Sequence, residues 1–262
     1  MFRHYPSLVT AFISSFAAPA VAQTTPISIT NGTYFQDFNS MGSGTTYPSG
    51  WNGYRVGTTT FQTLIASDGS SATGSTYNYG TTGNGDRALG SVGSGTTVPG
   101  FGAVFINNSG RVLTETDVLV SFRAEQWRIG TSTDVESWIF EYRVDDIPID
   151  VNQSDSLNYN QVSGFNLIEI RNDLTTSGPL NGNANGNFVN VSSSALTNLI
   201  WNPGDRLVIR WLDANDPGND SGMSIDDFSF IVVDPVPEPA TLSMCGIGLL
   251  GLACVRRRRR SA

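Results

Sequence analysis

Short runs that alternate apolar and polar residues fill the chain between Gln23 and Asp234, separated by clusters of Gly, Asn, Ser and Asp. Across residues 118–128, Val120, Phe122 and Ala124 fall on one face, with Ser121, Arg123 and Glu125 on the other. Across residues 137–145, Trp138, Phe140, Tyr142 and Val144 alternate against Ile139, Glu141, Arg143 and Asp145. Leu207, Ile209 and Trp211 do the same against Val208, Arg210 and Leu212, and Phe228, Phe230 and Val232 against Ser229 and Ile231. A period of two is that of a half-buried strand. Further strands are expected at 27–30, 34–39, 51–56, 61–66, 87–92, 103–107 and 188–191. No segment of this body has a helical period. Many strands with Gly-rich turns predict an all-β fold, an antiparallel β-sandwich of jelly-roll type. The most loop-like stretches are 69–85 and 175–187, where Asn181-Gly182 and Asn185-Gly186 suit left-handed turns. With no repeat and no linker inside it, 23–234 reads as one domain.

The two ends follow other rules. Arg3 and His4 precede an apolar run at 8–18, and Ala20-Val21-Ala22 follows as a small-x-small pattern. This is the plan of a secretory signal peptide over residues 1–22, cleaved after Ala22. At the other end, 235–239 reads Pro-Val-Pro-Glu-Pro, which cannot be helical because each Pro fixes φ and removes a donor. An apolar run at 240–255 comes next, predicted as a single hydrophobic helix just short of the ~17–25 residues that span a bilayer comfortably. Arg256, Arg257, Arg258, Arg259 and Arg260 then close on Ser261-Ala262. Five arginines at one end would hold the tail in the cytoplasm and the body outside.

The tail carries a resemblance. Pro237-Glu238-Pro239, the short apolar helix and the Arg cluster of 235–262 resemble the PEP-CTERM sorting signal of Gram-negative bacteria. That resemblance implies processing by an exosortase-type membrane protease at or near the Pro-Glu-Pro, after transient membrane insertion. It also implies export to a cell surface or extracellular matrix of the biofilm and exopolysaccharide kind. It supplies an address, not an activity. A second resemblance spans most of the body. Phe38-Asn39-Ser40-Met41-Gly42, Pro48-Ser49-Gly50-Trp51, Gly85-Asp86-Arg87-Ala88-Leu89-Gly90, Glu125-Gln126-Trp127-Arg128 and the closing Gly218-Asn219-Asp220-Ser221-Gly222-Met223-Ser224-Ile225-Asp226-Asp227-Phe228 are similar to a jelly-roll domain of secreted bacterial proteins. The closing strand also resembles adhesion-type jelly rolls such as MAM domains. No catalytic companion domain is present in this chain, so no nuclease activity carries over.

Composition narrows the chemistry. All 15 basic residues are Arg, against 23 carboxylates, giving a net charge of -8. So acidic a surface argues against nucleic acid as a partner, because phosphate contacts need cations. The one His is His4 and the two Cys are Cys245 and Cys254, so residues 23–234 hold no His, Cys or Lys. That removes Ser-His-Asp, Cys-His and Lys nucleophiles, His/Cys zinc sites and a P-loop. Stability must come from the core rather than from disulfides.

Carboxylates remain. A glycosidase needs two of them, one with a raised pKa, and Glu125, Glu136, Glu141 and Glu169 are the available glutamates near strands. Glu141 and Arg143 are also expected as partners on a solvated face. Calcium is the candidate metal, at Asp213, Asn215, Asp216, Asn219 and Asp220, five oxygen-bearing side chains in eight residues. The spacing is not that of an EF-hand. Arg87 is expected to pair with a carboxylate. Trp138 and Trp211 read as core, while Trp127 is the candidate platform for stacking on a sugar ring. Five Asn-x-Ser/Thr patterns match glycosylation acceptors, as chance would produce in this composition. The leading expectation is a non-enzymatic exported domain, associated with polysaccharide. A carboxylate-based glycoside hydrolase and a permanently anchored adhesion domain are the alternatives.

Overall fold

The alternation resolves into seventeen strands in a computed structural model that describes residues 23–132, 134–153, 157–172 and 176–234. The expected signal segment, with Ala20 and Ala22, and the whole C-terminal tail lie outside the described residues. In chain order the strands are β1 (Ile27–Ile29), β2 (Gly32–Gln36), β3 (Trp51–Arg55), β4 (Ile65–Ser67), β5 (Ser75–Tyr79), β6 (Ala88–Val92), β7 (Pro99–Asn107), β8 (Leu113–Thr114) and β9 (Val118–Ile129). They continue with β10 (Ser137–Asp145), β11 (Asn160–Gln161), β12 (Leu167–Ile168), β13 (Gly178–Pro179), β14 (Phe188–Ala195), β15 (Ile200–Trp201), β16 (Arg206–Leu212) and β17 (Gly222–Val232).

Two sheets share one core. The first runs β1-β7-β16-β10-β11, with β3 on the other half of the β7 edge and β12 on the other half of the β10 edge. The second runs β13-β9-β17-β6-β5-β4, with β14 beside β9 and β2 beside β17. Most pairings are antiparallel; β1 with β7 and β4 with β5 are short parallel pairs. Cross-strand register lines up Phe140, Trp211 and Phe101 across the first sheet. These rings meet the second sheet directly: Phe122 lies 5.3 Å from Trp211, and Phe105 4.7 Å from Phe230. Burial of rings this large is the main stabilising term in a body without disulfides.

The predicted core residues Trp138, Trp211, Phe228 and Phe230 are all fully buried. Two expectations fail for a common reason, which is that the outer faces of both sheets are covered. The stretch 69–85, expected as loop, contains β5, buried at every position. Its Tyr77 and Tyr79 pack with Trp127 on one face. On the other, Thr76 bonds the Tyr47 hydroxyl and Asn78 Nδ2 donates to the carbonyls of Gly42 and Gly44. A strand buried on both sides through polar contacts shows no period of two. In β9 the expected polar face vanishes after Ala124, because Glu125, Gln126 and Arg128 are buried beneath neighbouring loops.

The closing strand holds a change of phase. Between Asp226 and Ser229 the register against Arg123 and Ser121 of β9 slips by one residue. The extra residue, Asp227, adopts a left-handed backbone with φ 48°. Met223 and Ile225 face the core before this bulge, and Phe228, Phe230 and Val232 after it.

Candidate functional site

At one end of the two sheets, the loop from β16 to β17 folds back over the end of β6 and the start of β10. It divides the five predicted calcium ligands. Asp213 and Asp220 are buried, whereas Asn215 and Asn219 are exposed and Asp216 is half-buried. Asn219 serves the loop itself: its backbone N–H donates to Thr131 Oγ1 and its carbonyl accepts from Thr131 N. The structure instead brings Glu136 in, 3% exposed, from the residue preceding β10. Glu136 Oε2 accepts the Ser221 backbone N–H at 2.7 Å, and Ser221 Oγ donates to Glu169 at 2.7 Å. Asp213 accepts from Ser91 Oγ at 2.9 Å, and Ser91 in turn accepts from the Trp138 indole at 2.7 Å.

The remaining oxygens are unsatisfied. Glu136 Oε1 and both carboxylate oxygens of Asp220 are buried with no hydrogen-bond partner. None of these acids takes part in an ion pair among the described residues. Burial pushes Glu136 up to about 8, helped by Asp220 and Glu169 and opposed by the Ser221 N–H. Burial likewise raises Asp220 to about 6; the Asp216 N–H, near it but outside hydrogen-bond geometry, opposes this. Asp213 is raised well above the carboxylate range, first by burial and then by Asp220 and Glu136. Among the described residues no three His, Cys, Asp or Glu side chains are arranged as a metal cage.

A second acidic pair lies beside the bulge. Glu125 and Asp226 are 0% and 2% exposed. Burial raises Glu125 to about 7 and Asp226 to about 8, each reinforced by its neighbouring carboxylates. Arg123 stands 3.2 Å from Glu125 and partly offsets this. Glu125 Oε2 accepts the Trp127 indole N–H at 2.9 Å. Trp127, the candidate stacking platform, is itself only 1% exposed and lies flat on Tyr79, with ring centres 5.8 Å apart. Its stacking partner in this conformation is the protein. Glu141 also departs from expectation. It pairs with Arg210, while Arg143 pairs with Asp145 two residues along its own strand.

Arg87 overturns its expected role as a carboxylate partner. It is 7% exposed and forms no ion pair among the described residues. One terminal nitrogen donates to the Asn84 carbonyl at 3.1 Å, and Nε is buried without a partner. The residue lines a cleft of about 350 Å³ whose other walls include Ser43, Ser67, Asp68, Ser70 and Ser71. Hydrogen bonds from Ser70 hold the Asp68 carboxyl below its usual range, so it stays ionised. Arg128, 6% exposed, donates to the carbonyls of Gly69 and Ser70 at 3.3 Å and ties that wall to β9. The cleft thus offers a fixed cation, an anion and several hydroxyls. Gly85-Asp86-Arg87 was visible in the sequence, but nothing there showed that the guanidinium would have no carboxylate partner among the described residues.

The tail supplies the one firm assignment. Residues 235–260 carry the PEP-CTERM protein-sorting motif. The PEP-CTERM motif implies processing by exosortase and export through the sorting pathway to the cell envelope. It contains the predicted Pro237, Glu238 and Pro239 and the five arginines from Arg256 to Arg260. No curated protein matches the chain significantly. Among solved structures, the CBM22-1 xylan-binding domain from Paenibacillus barcinonensis Xyn10C aligns over 79% of this chain and 99% of its own, at 13% identity and TM-score 0.37. The Eiger TNF from S. frugiperda aligns over 80% and 96%, at 12% identity and TM-score 0.29. The family 11 carbohydrate-binding module of Clostridium thermocellum Lic26A-Cel5E aligns over 80% and 100%, at 10% identity and TM-score 0.28. Likeness at this level assigns no ligand to this chain.

Proposed function

We propose that this chain is an exported, non-catalytic jelly-roll domain that associates with extracellular polysaccharide at the cell surface or in the matrix. The observation that carries the reading is the sorting motif at 235–260, behind a body that has no His, Cys or Lys. The cleft of Arg87 and Asp68 is the site we assign to the sugar. A charged donor and a charged acceptor lining one cleft with serine hydroxyls suit the vicinal hydroxyls of a neutral saccharide. Net charge of -8 works against a polyanion there.

The test begins in the native host, with cell fractionation and mass spectrometry of the C-terminal peptide. A mature chain ending near Pro237-Glu238-Pro239, outside the membrane, supports the reading. Persistence of Arg256 to Arg260 in the membrane fraction would make it an anchored surface domain instead. Binding to the host's purified polysaccharide is measured next, with Asp68→Asn expected to weaken it tenfold or more and leave the melting temperature unchanged.

A hydrolase reading keeps one observation in its favour, the two raised carboxylates Glu125 and Asp226. Both are sealed from solvent, and Glu125 is engaged by Trp127. Reducing ends released from the same polysaccharide, and lost in Glu125→Gln, would favour it over binding alone.

A further inference from the structure

The buried acids beneath the β16–β17 loop pose a physical problem that polysaccharide binding does not solve. Desolvating a carboxylate costs several kcal/mol unless a cation, a proton or hydrogen bonds compensate it. Three carboxylate oxygens, both of Asp220 and one of Glu136, have none of the hydrogen bonds. Asp220 and Glu136 are 5% and 3% exposed, and Asp213, itself buried, adds a further carboxyl group behind them. No arginine comes within ion-pairing distance among the described residues. A backbone oxygen joins them. A Cβ on Gly93 would stand 2.5 Å from the Ala214 carbonyl oxygen and 2.7 Å from Asp220 Oδ2, so both oxygens close on the bare α-carbon of residue 93. Any larger side chain at 93 would drive them apart.

We infer that a calcium ion is held here by the carboxylates of Asp220 and Glu136 and the carbonyl oxygen of Ala214. Two carboxylates and a carbonyl, all hard oxygen donors, match what calcium takes, and water completes a shell of six to eight. Magnesium demands a stricter octahedron and surrenders its water reluctantly. Zinc and copper sites draw chiefly on imidazole and thiolate side chains, and residues 23–234 hold no His and no Cys. The site differs from the linear cluster the loop sequence suggests, since Asn215 and Asn219 face solvent and Glu136 comes from a distant strand. It would fasten the loop and the ends of β6, β10 and β17 together. Calcium here is independent of whether the Arg87 cleft holds a sugar.

The experiment uses the full chain purified in chelator, at pH 7.5, with calcium chloride and terbium chloride as probes. Trp138, linked to Asp213 through Ser91, is placed to sensitise terbium emission. We expect terbium luminescence on excitation of tryptophan, quenched by added calcium but not by equal magnesium. A hundredfold excess of calcium over its dissociation constant should raise the melting temperature by about 5–10 °C. Asp220→Asn and Glu136→Gln should each lose both responses, while the half-exposed Asp216→Asn keeps them. If either variant fails to fold, the wild-type titration decides alone. The inference is overturned if wild-type shows neither emission nor a thermal shift. It is overturned equally if calcium is inert and Asp220→Asn or Glu136→Gln is more stable than wild-type, which would mean that protons neutralise the cluster.

Discussion

Arg210 and Glu141, on adjacent strands of the first sheet, form a salt bridge of 2.5 Å in which the arginine side chain is wholly buried. The guanidinium also donates to the carbonyls of Val151 and Gln153 and lies 3.8 Å from the Tyr159 ring centre. It ties the 149–153 segment onto the outer face of the sheet. Removing one partner strands the other charge in a dry site. Glu141→Gln should therefore cost about 3–5 kcal/mol, as should Arg210→Gln. The double variant Glu141→Leu/Arg210→Met should recover at least half of that loss. Chemical denaturation of the four proteins gives the cycle. Additive losses would show that the pair does not act as a unit.

Glu125 and Asp226 make stability depend on pH in a definite direction. Their folded values, about 7 and about 8, stand above the ordinary 4.5 and 3.8. The folded chain therefore holds protons that the unfolded chain releases. Stability from these groups is complete below about pH 4 and is lost as pH rises through 7 and 8. The melting temperature in chelator should fall steadily between pH 5 and pH 9. Asp226→Asn keeps a side-chain oxygen for the Asp227 backbone N–H, now accepted by Asp226 Oδ1. That variant should flatten the slope and be the more stable protein at pH 9. Arg123, Asp86 and Asp227 face the same pair, so a slope that survives Asp226→Asn would place the titration at Glu125 or at the Glu136–Asp220 cluster.

What could be read from the chain follows how each face is covered. β10, with one apolar face and one partly exposed polar face, declares itself in the alternation, and β16 does so although Val208 and Arg210 on its outer face are buried. β5 does not, because Thr76 and Asn78 are as buried as Tyr77 and Tyr79. The sorting motif was legible, since Pro-Glu-Pro, the apolar run and the arginines are contiguous in sequence. The acidic site was half legible. Asp213 and Asp220 sit in one loop, but Glu136 lies 84 residues before Asp220 and only strand pairing brings it near. Arg87 shows the same limit from the other side, because the absence of a carboxylate partner among the described residues is not written in any local pattern.

Gly182 and Trp127 provide a test of how the second sheet is covered. A Cβ on Gly182 would collide with the indole of Trp127, which the loop at 180–187 overlies. Ala at 182 must either lift the loop or tilt the ring off Tyr79. Gly182→Ala should lower stability by about 1–3 kcal/mol, as overpacking does. It should also shift tryptophan emission to the red as the ring gains water. Unchanged emission together with unchanged stability would mean that the loop does not rest on Trp127 in solution.

The bulge at Asp227 decides which side of β17 faces the core. Side chains alternate strictly along a strand, so Met223 and Ile225 could not share a face with Phe228 and Phe230 without one extra residue between them. Asp227 is that residue, and its left-handed φ of 48° is tolerated by Asp and preferred by Gly. Asp227→Gly should fold as the parent does, within about 1 kcal/mol in either direction. Asp227→Val, with a branched carbon at positive φ, should cost about 1–2 kcal/mol. Deleting Asp227 is different in kind. It would turn either the Met223–Ile225 half or the Phe228–Val232 half away from the core, and β17 is the strand that joins β9 to β6 and β2. The deletion should abolish cooperative unfolding and the near-UV signal of packed aromatic rings. A deletion variant that melted cooperatively within a few degrees of the parent would show that the register of β17 against β9 is not fixed by this residue.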